Sequence, residues 1–183
     1  MMSDLYFLRA GFIAFIDGMW WGLRDTVGPL SMYEGYAGGF KQMGLEAAER
    51  DGGRGAESAA KIATEVLKLI GLEVEQREKE IVISKCPLWE RILERGLEYS
   101  FHVEEICWKP LFEGIAEKTG SRVEMASSLR MNYLEGVEIE YKKGKAKAAL
   151  DRGAITKEEF DTQVASLEEG KAKIPEFGLY RFK

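Results

Sequence analysis

The stretch KIATEVLKLIGLEVEQREKEIVISKCPLW, residues 61–89, decides the fold class because it places a helix, two strands and a second helix in succession. Its first part belongs to a helix predicted over residues 56–70 and ended by Gly71. Residues 72–74 and 80–84 either alternate between apolar and polar side chains or are β-branched, and they flank a charged turn. This pattern is typical of a β-hairpin. Pro87 suits the first turn of a further helix that reaches Gly96. The first helix has apolar residues at a 3, 4, 3 spacing, namely Ala59, Ile62, Ala63, Val66, Leu67 and Ile70.

On the N-terminal side, the apolar run FIAFI at residues 12–16 predicts a buried strand, and residues 19–26 predict a helix. Gly28-Pro29 interrupts that helix, because proline lacks an N–H donor and restricts the residue before it. The next helix contains three glycines, Gly35, Gly38 and Gly39. Each glycine costs about 1 kcal/mol relative to alanine in a helix. We therefore expect another element to pack closely on them, a sheet being favoured over a ligand.

On the C-terminal side, a helix is predicted over residues 109–118, followed by strands at 121–125 and 137–141. A helical hairpin follows, in which Thr156 and Glu159 form a capping box. Such hairpins dock or oligomerise proteins, or cover a core as a structural lid. The predicted apolar seam of the hairpin comprises Leu150, Ile155, Phe160, Val164 and Leu167.

The composition is that of an ordinary globular protein. The chain has 183 residues, 45% hydrophobic and 31% charged, which predicts one substantial core. The net charge of −5 and the scattered basic residues argue against nucleic-acid binding. Two cysteines do not form a disulfide framework, and no long uncharged apolar stretch or leader is evident, so we expect a cytoplasmic protein without a membrane segment.

The stretch from Cys86 to Cys107 gathers both cysteines and the single histidine, His102. A metal site of Cys107, Cys86, His102 and a glutamate would need the fold to bring them together, since no CxxC pair is present. Alternatively, Cys107 lies at or just before a helix N-terminus, where a lowered thiol pKa would favour a nucleophile with His102 as base. A cysteine buried as a small apolar residue is the structural alternative to both.

The aromatic residues suggest a different kind of site. They are numerous for a core of this size, and a cavity lined by aromatic rings suits an apolar small molecule. Packing in the core accounts for most of them, and one or two are expected to line a pocket. The candidate ligand-binding residues are Trp20, Tyr33, Tyr36, Trp89, Phe101, Trp108 and Phe112.

Several phrases in order along residues 10–142 resemble the 4-vinyl reductase domain family, a small-molecule-binding module also found in sensor domains of aromatic-catabolism activators. They are Gly28-Pro29, YEGYAGG at 33–39, IGLEV at 70–74, IVISKCP at 81–87, Cys107-Trp108 with FEGI at 112–115, GSRVE at 120–124 and GVEIEY at 136–141. The resemblance implies an antiparallel sheet packed with helices, as in nitric-oxide-sensing haem domains and vesicle-tethering subunits, and it implies a homodimer.

The same resemblance implies a zinc site in which Cys107 and Glu124 are the first two ligands. The family's two later cysteines would fall near Ser127 and at residues 137–139, where the sequence has none, so the zinc ligand set is incomplete. Residues 85–107 and 130–136 are also similar to the aminothiazoline-carboxylate hydrolase family. The hairpin phrase at residues 150–167 resembles short oligomerising C-terminal hairpins.

Together these observations predict an α+β fold with a ligand-binding domain at residues 1–142 and a helical hairpin extension at 143–183. The predicted function is the binding of an apolar or aromatic small molecule by a sensor domain that acts as a dimer or through a partner. No cofactor is predicted. The alternatives are a cysteine-dependent hydrolase or reductase using Cys107 with His102, and a structural assembly subunit.

Overall fold

The computed structural model of the protein describes residues 4–96 and 102–183. Three helices come first: α1 (Asp4–Val27), α2 (Pro29–Asp51) and α3 (Gly55–Ile70). The hairpin β1 (Glu73–Arg77) and β2 (Glu80–Lys85) leads to α4 (Pro87–Arg95). A π-helical turn (Glu104–Trp108) continues into α5 (Lys109–Thr119), followed by β3 (Val123–Ser127), α6 (Leu129–Asp151), α7 (Lys157–Lys171) and β4 (Gly178–Phe182). None of the described helices is both long and apolar enough to span a bilayer.

The four described strands form one antiparallel sheet in the order β1-β2-β4-β3. Strand β4 therefore lies between β2 and β3, with Ile81 opposite Tyr180 and Met125 also opposite Tyr180. Helices α6 and α7 form a hairpin inserted between the neighbouring strands β3 and β4. The α+β class predicted from the sequence is confirmed. The predicted boundary between residues 142 and 143 falls inside α6, and the segment that follows α7 completes the sheet.

The apolar run at residues 12–16 is part of α1, so the predicted strand there is wrong. Its buried residues are Ile13 and Ile16, and they continue with Asp17 and Trp20 at helical spacing. A five-residue apolar run fits a strand or a buried helix equally well. Here the helical spacing of the buried residues, which extends beyond the run to Trp20, identifies a helix.

The strand predicted at residues 137–141 is also wrong, because this segment lies in the middle of α6. Ile139 is buried and comes near Gly170 of α7, while Val137 and Tyr141 are exposed. The alternation of apolar and acidic residues thus reflects a helix with only one covered side. The strand that the sequence did not reveal is β4, in which Gly178, Tyr180 and Phe182 alternate into the core.

The helical hairpin and its capping box are confirmed. The Thr156 hydroxyl accepts a hydrogen bond from the backbone N–H of Glu159, and the Glu159 carboxylate accepts one from the backbone of Thr156. Ion pairs join the two helices, with Lys143 bound to Glu168 and Lys171 bound to Glu140 at 2.6 Å. The five predicted seam residues are all partly buried.

The closest helix packing is between α2 and α5, which share the largest contact of any two described elements. Gly44 of α2 faces the Leu111 carbonyl, and Gly114 of α5 faces the Lys41 carbonyl. A Cβ atom would lie 2.1 Å from the first oxygen and 2.2 Å from the second. Gly44 and Gly114 are therefore the glycines that permit the close approach of α2 and α5. The prediction for Gly35, Gly38 and Gly39 is wrong, because a Cβ on any of them would meet open space.

Helix α1 is tied to the body of the protein by polar side chains. The buried Asp17 carboxylate accepts hydrogen bonds from Arg91 at 3.0 Å and Arg95 at 2.8 Å, both on α4, and from the Trp21 indole at 3.1 Å. Arg9 donates to backbone carbonyls at the C-terminal end of α3. Arg9 and Asp17 therefore connect α1 to α3 and to α4.

Candidate functional site

Cys86 has a structural role at the junction between β2 and α4. It is the N-cap residue of α4, and its sulfur accepts a hydrogen bond from the Trp89 backbone N–H at 3.4 Å. Pro87 occupies the first turn, as predicted. The side chain is buried, and burial raises the pKa of the thiol to about 12. A thiol of this kind stays protonated and unreactive at neutral pH.

Cys107 does not lie at a helix N-terminus, and that expectation is wrong. It lies inside the π-helical turn that runs without a break into α5. In this turn the Lys109 N–H bonds to the Glu104 carbonyl, five residues back. The wider turn accommodates Pro110, which cannot donate a hydrogen bond and would disturb a regular helix. Cys107 is fully buried, and burial raises its pKa well above the ordinary value, so the environment opposes a thiolate nucleophile.

His102 is paired with Arg130 rather than with Cys107 in the hydrogen bonds of the described residues. Its Nε2 atom lies 3.0 Å from an Arg130 guanidinium nitrogen, and its ring is tilted against Tyr33 with centroids 6.3 Å apart. Burial, followed by the charge of Arg130, lowers the pKa of His102. A neutral imidazole that accepts from arginine holds α6 in place and is not oriented to deprotonate a thiol.

Glu104 is the buried acid of this region, and the sequence did not single it out. Its carboxylate accepts a hydrogen bond from the Arg130 backbone N–H at 3.2 Å, at the N-terminus of α6. A carboxylate suits this position because a helix N-terminus carries partial positive charge. Burial nevertheless raises the pKa of Glu104. The polar cluster of His102, Glu104 and Arg130 therefore anchors the inserted hairpin to the π-helical turn.

Glu124 does not join the cysteines. It is exposed on β3, between Val123 and Met125, which are partly buried, and it pairs with Lys183. That partner lowers the pKa of the Glu124 carboxyl. Among the residues that the structure describes, no three His, Cys, Asp or Glu side chains are grouped to hold a metal ion. The candidate ligands Cys86, His102, Cys107 and Glu124 are thus not gathered into a site.

Most of the candidate ligand-binding aromatics pack in the core. Trp108 meets Phe40 edge to face at 5.5 Å, Phe112 meets Tyr180 at 4.9 Å, and Trp20 stacks on Tyr33 at 5.4 Å. Trp89 is also buried, lines a second groove and meets Tyr133 of α6 edge to face at 5.8 Å. Phe101 lies outside the described residues.

Tyr36 is the candidate that borders an apolar groove, which lies between α1 and α2 and has a volume of about 330 Å³. Its hydroxyl donates a hydrogen bond to the Ile16 carbonyl of α1, so its polar atom is directed into the wall. Burial raises the pKa of Tyr36. The residues that line this α1–α2 groove are Phe12, Ile16, Met19, Ser31, Met32, Gly35, Tyr36, Gly39, Phe40 and Met43.

The α1–α2 groove is almost free of polar chemistry. Ser31 is the one hydroxyl residue among the lining residues besides Tyr36, and no charged side chain lines the groove. Three of the ten lining residues are methionines, whose flexible thioethers adapt to ligands of different shape. The sequence features that could have indicated this groove are the glycines of α2 and the methionines. Only the pairing of α1 with α2 brings them together.

Comparison of the chain with protein-family models, with curated proteins and with solved structures finds no significant match.

Proposed function

We propose that the protein binds an apolar small molecule in the α1–α2 groove and does not convert it chemically. The observation that carries this proposal is the lining of the groove, which combines aromatic rings, methionines and uncovered glycines with no charged group. Transfer of an apolar molecule from water into such a groove is favourable by roughly 25 cal/mol per Å² of apolar surface buried.

The size and chemistry of the groove indicate the ligand class. About 330 Å³ is at the lower end of the volumes of small-molecule sites. A neutral aromatic molecule up to the size of N-phenyl-1-naphthylamine, or a short hydrocarbon chain, fits this space. Because the lining offers no charged partner, an ionised ligand would bind more weakly than its neutral analogue.

The resemblance to the 4-vinyl reductase domain family supports the same class of function, since members of that family bind small molecules in sensor domains. Under this proposal the protein is a ligand-binding domain whose output passes through a dimer or a partner. The groove is not at the position of the family's zinc ligands, so the proposal assigns the binding role to α1 and α2 and not to Cys107.

The cysteine-dependent hydrolase is the less favoured alternative because of the environment of the thiol. Cys107 is inaccessible, its burial opposes the thiolate, and His102 is engaged by Arg130. A structural assembly subunit is the second candidate function, and the exposed apolar residues of α1 favour it.

Binding of N-phenyl-1-naphthylamine, a neutral probe that fluoresces in apolar sites, tests the proposal. We expect saturable binding to the unmodified protein and a loss of affinity of at least about tenfold in Gly39→Leu, because the new side chain fills the groove. Gly38→Leu is the matched control, since Gly38 is the adjacent residue of α2 and also faces open space but does not line the groove. Absence of saturable binding, or equal affinity in the two variants, would refute the proposed site.

A further inference from the structure

Helix α1 has a second apolar face besides the one it buries against the protein. Ile13, Ile16 and Trp20 define the buried face. With 3.6 residues per turn, the second face is centred roughly 100° around the helix from the first. We call it the α1 stripe, and its residues, at spacings of 3, 4, 3 and 4, are Leu5, Leu8, Phe12, Phe15 and Met19.

The α1 stripe runs along the rim of the α1–α2 groove. Phe12 and Met19 are partly buried and line the groove, while Phe15, between them on the same face, is 62% exposed. Leu8, one turn before Phe12, is 70% exposed. Two large apolar side chains therefore protrude beside an apolar depression of the same surface.

The five residues of the α1 stripe are all uncharged, and two charged residues of α1, Arg9 and Asp17, are held by other elements. Arg9 is bonded to carbonyls of α3, and Asp17 is bonded to arginines of α4. A surface without charge meets an identical surface without like-charge repulsion, whereas it offers nothing to recognise a charged partner. An exposed apolar face of this length on a protein surface marks an interaction site.

We propose that a second copy of this chain docks on the α1 stripe, about a two-fold axis, so that Leu8 and Phe15 of each copy insert into the α1–α2 groove of the other. In a two-fold dimer the same surface serves both partners, so it must carry both the protruding groups and the depression that receives them. This face carries both. Gly35 and Gly39 leave the α2 side of the groove open to the incoming side chains.

The dimer also changes the ligand site. The α1–α2 groove is open to solvent along one side in the single chain, and the second copy would cover that side and make an enclosed cavity. The docking itself does not depend on a ligand; the enclosure of the ligand rests on the proposed function. Apolar probes should then bind the dimer more tightly than the monomer.

Sedimentation equilibrium at low micromolar concentration tests the docking, with the full chain and no added ligand. We expect a particle of twice the 20.7 kDa chain mass, and we expect Phe15→Glu to raise the dissociation constant at least about a hundredfold, because it places a carboxylate in an apolar contact on both copies. Leu8→Glu is a second variant at another point of the stripe. Circular dichroism and thermal unfolding verify that each variant is folded.

Tyr141→Glu is the matched control, because Tyr141 is 61% exposed at a mid-helix position of α6, away from the α1 stripe. Dissociation by Phe15→Glu or Leu8→Glu, with Tyr141→Glu still dimeric, supports the proposal. A monomeric unmodified protein, or a dimer that only Tyr141→Glu dissociates, overturns it.

Titration of the same variants with N-phenyl-1-naphthylamine separates the two proposals. A monomeric Phe15→Glu that binds the probe at least about fivefold more weakly than the dimer supports enclosure, and equal affinity overturns enclosure while leaving the groove as the ligand site. If the dimer forms as expected but binds no probe, the proposed function fails and the docking surface stands.

Discussion

Substitution of Gly44 by alanine tests the packing on which the rest of the fold depends. The added Cβ would lie 2.1 Å from the Leu111 carbonyl oxygen and 3.1 Å from the Ile115 nitrogen. These atoms are backbone of a buried helix and cannot rotate away, so α2 and α5 must separate by about 1 Å to restore normal van der Waals contact. That separation loosens the packing of Phe40 on Trp108 in the same region.

The expected cost follows from two opposing effects. Overpacking of a core that can respond only by moving a helix costs about 3 kcal/mol or somewhat more. Alanine in place of glycine in a helix returns about 1 kcal/mol. We therefore expect Gly44→Ala to lower the free energy of unfolding by about 2 kcal/mol. Gly38→Ala in the same helix, where the added Cβ meets open space, should raise it by about 0.5 to 1 kcal/mol.

Urea unfolding followed by circular dichroism measures both changes, and the slope m indicates whether the transition keeps its cooperativity. Gly114→Ala should behave like Gly44→Ala. The double variant should cost less than the sum of the two, because the first substitution has already separated the helices at the shared crossing. If Gly44→Ala were as stable as Gly38→Ala, the described crossing of α2 and α5 would be wrong.

Three other predictions concern buried ionisable groups. Asp17→Ala removes the carboxylate that two arginines of α4 bind, and should destabilise the protein by about 2 kcal/mol in urea unfolding, against less than about 0.5 kcal/mol for the exposed Asp25→Ala; equal losses would contradict the anchoring role. Burial raises the pKa of Glu104 in the folded protein. The contribution of this carboxyl to the free energy of unfolding is therefore fully present below its ordinary pKa, and it is lost as the pH rises through the raised pKa of the folded state. Glu104→Gln should therefore gain stability relative to the unmodified protein as the pH rises above the ordinary carboxyl pKa, and a difference that does not change with pH would argue against the burial effect. Iodoacetamide at about pH 8 should label Cys107 only after unfolding, and rapid labelling of the folded protein, detected by mass spectrometry, would revive the hydrolase alternative.

Local signals identified the elements whose ends are marked in the sequence. The helix ended by Gly71, the hairpin that follows it and the capping box of Thr156 all depend on residues a few positions apart. Such signals act through neighbouring backbone groups, and in these elements the tertiary structure agrees with them. The confirmed predictions are of this kind.

Elements determined by distant residues could not be predicted in the same way. The run at 12–16 is compatible with both periodicities until α1 is seen to pack as a helix on α2, α3 and α4. Strand β4 is five residues long, and its partner residues on β2 are about one hundred positions away, so no local pattern announces the pairing.

The candidate site was misjudged for a related reason. Pro110 indicated a helix N-terminus near Cys107, but a π-helical turn accommodates the proline and places the cysteine inside the core. The groove residues on α1 and α2 are unremarkable one by one, since methionine, glycine and phenylalanine occur in any core. Only the lateral contact of two helices brings them together around one groove.

The position of β4 has a consequence for the protein during its synthesis. Strands β2 and β3 leave the ribosome long before residues 178–182. Each of them therefore has an unpaired edge until β4 has been synthesised and can lie between them. An unpaired edge is a template for pairing with other chains. The two helices of the inserted hairpin, which need only local contacts, can fold in the interval and bring the ends of β3 and β4 together. Proteins truncated within β4 should therefore aggregate rather than lose only a terminal strand.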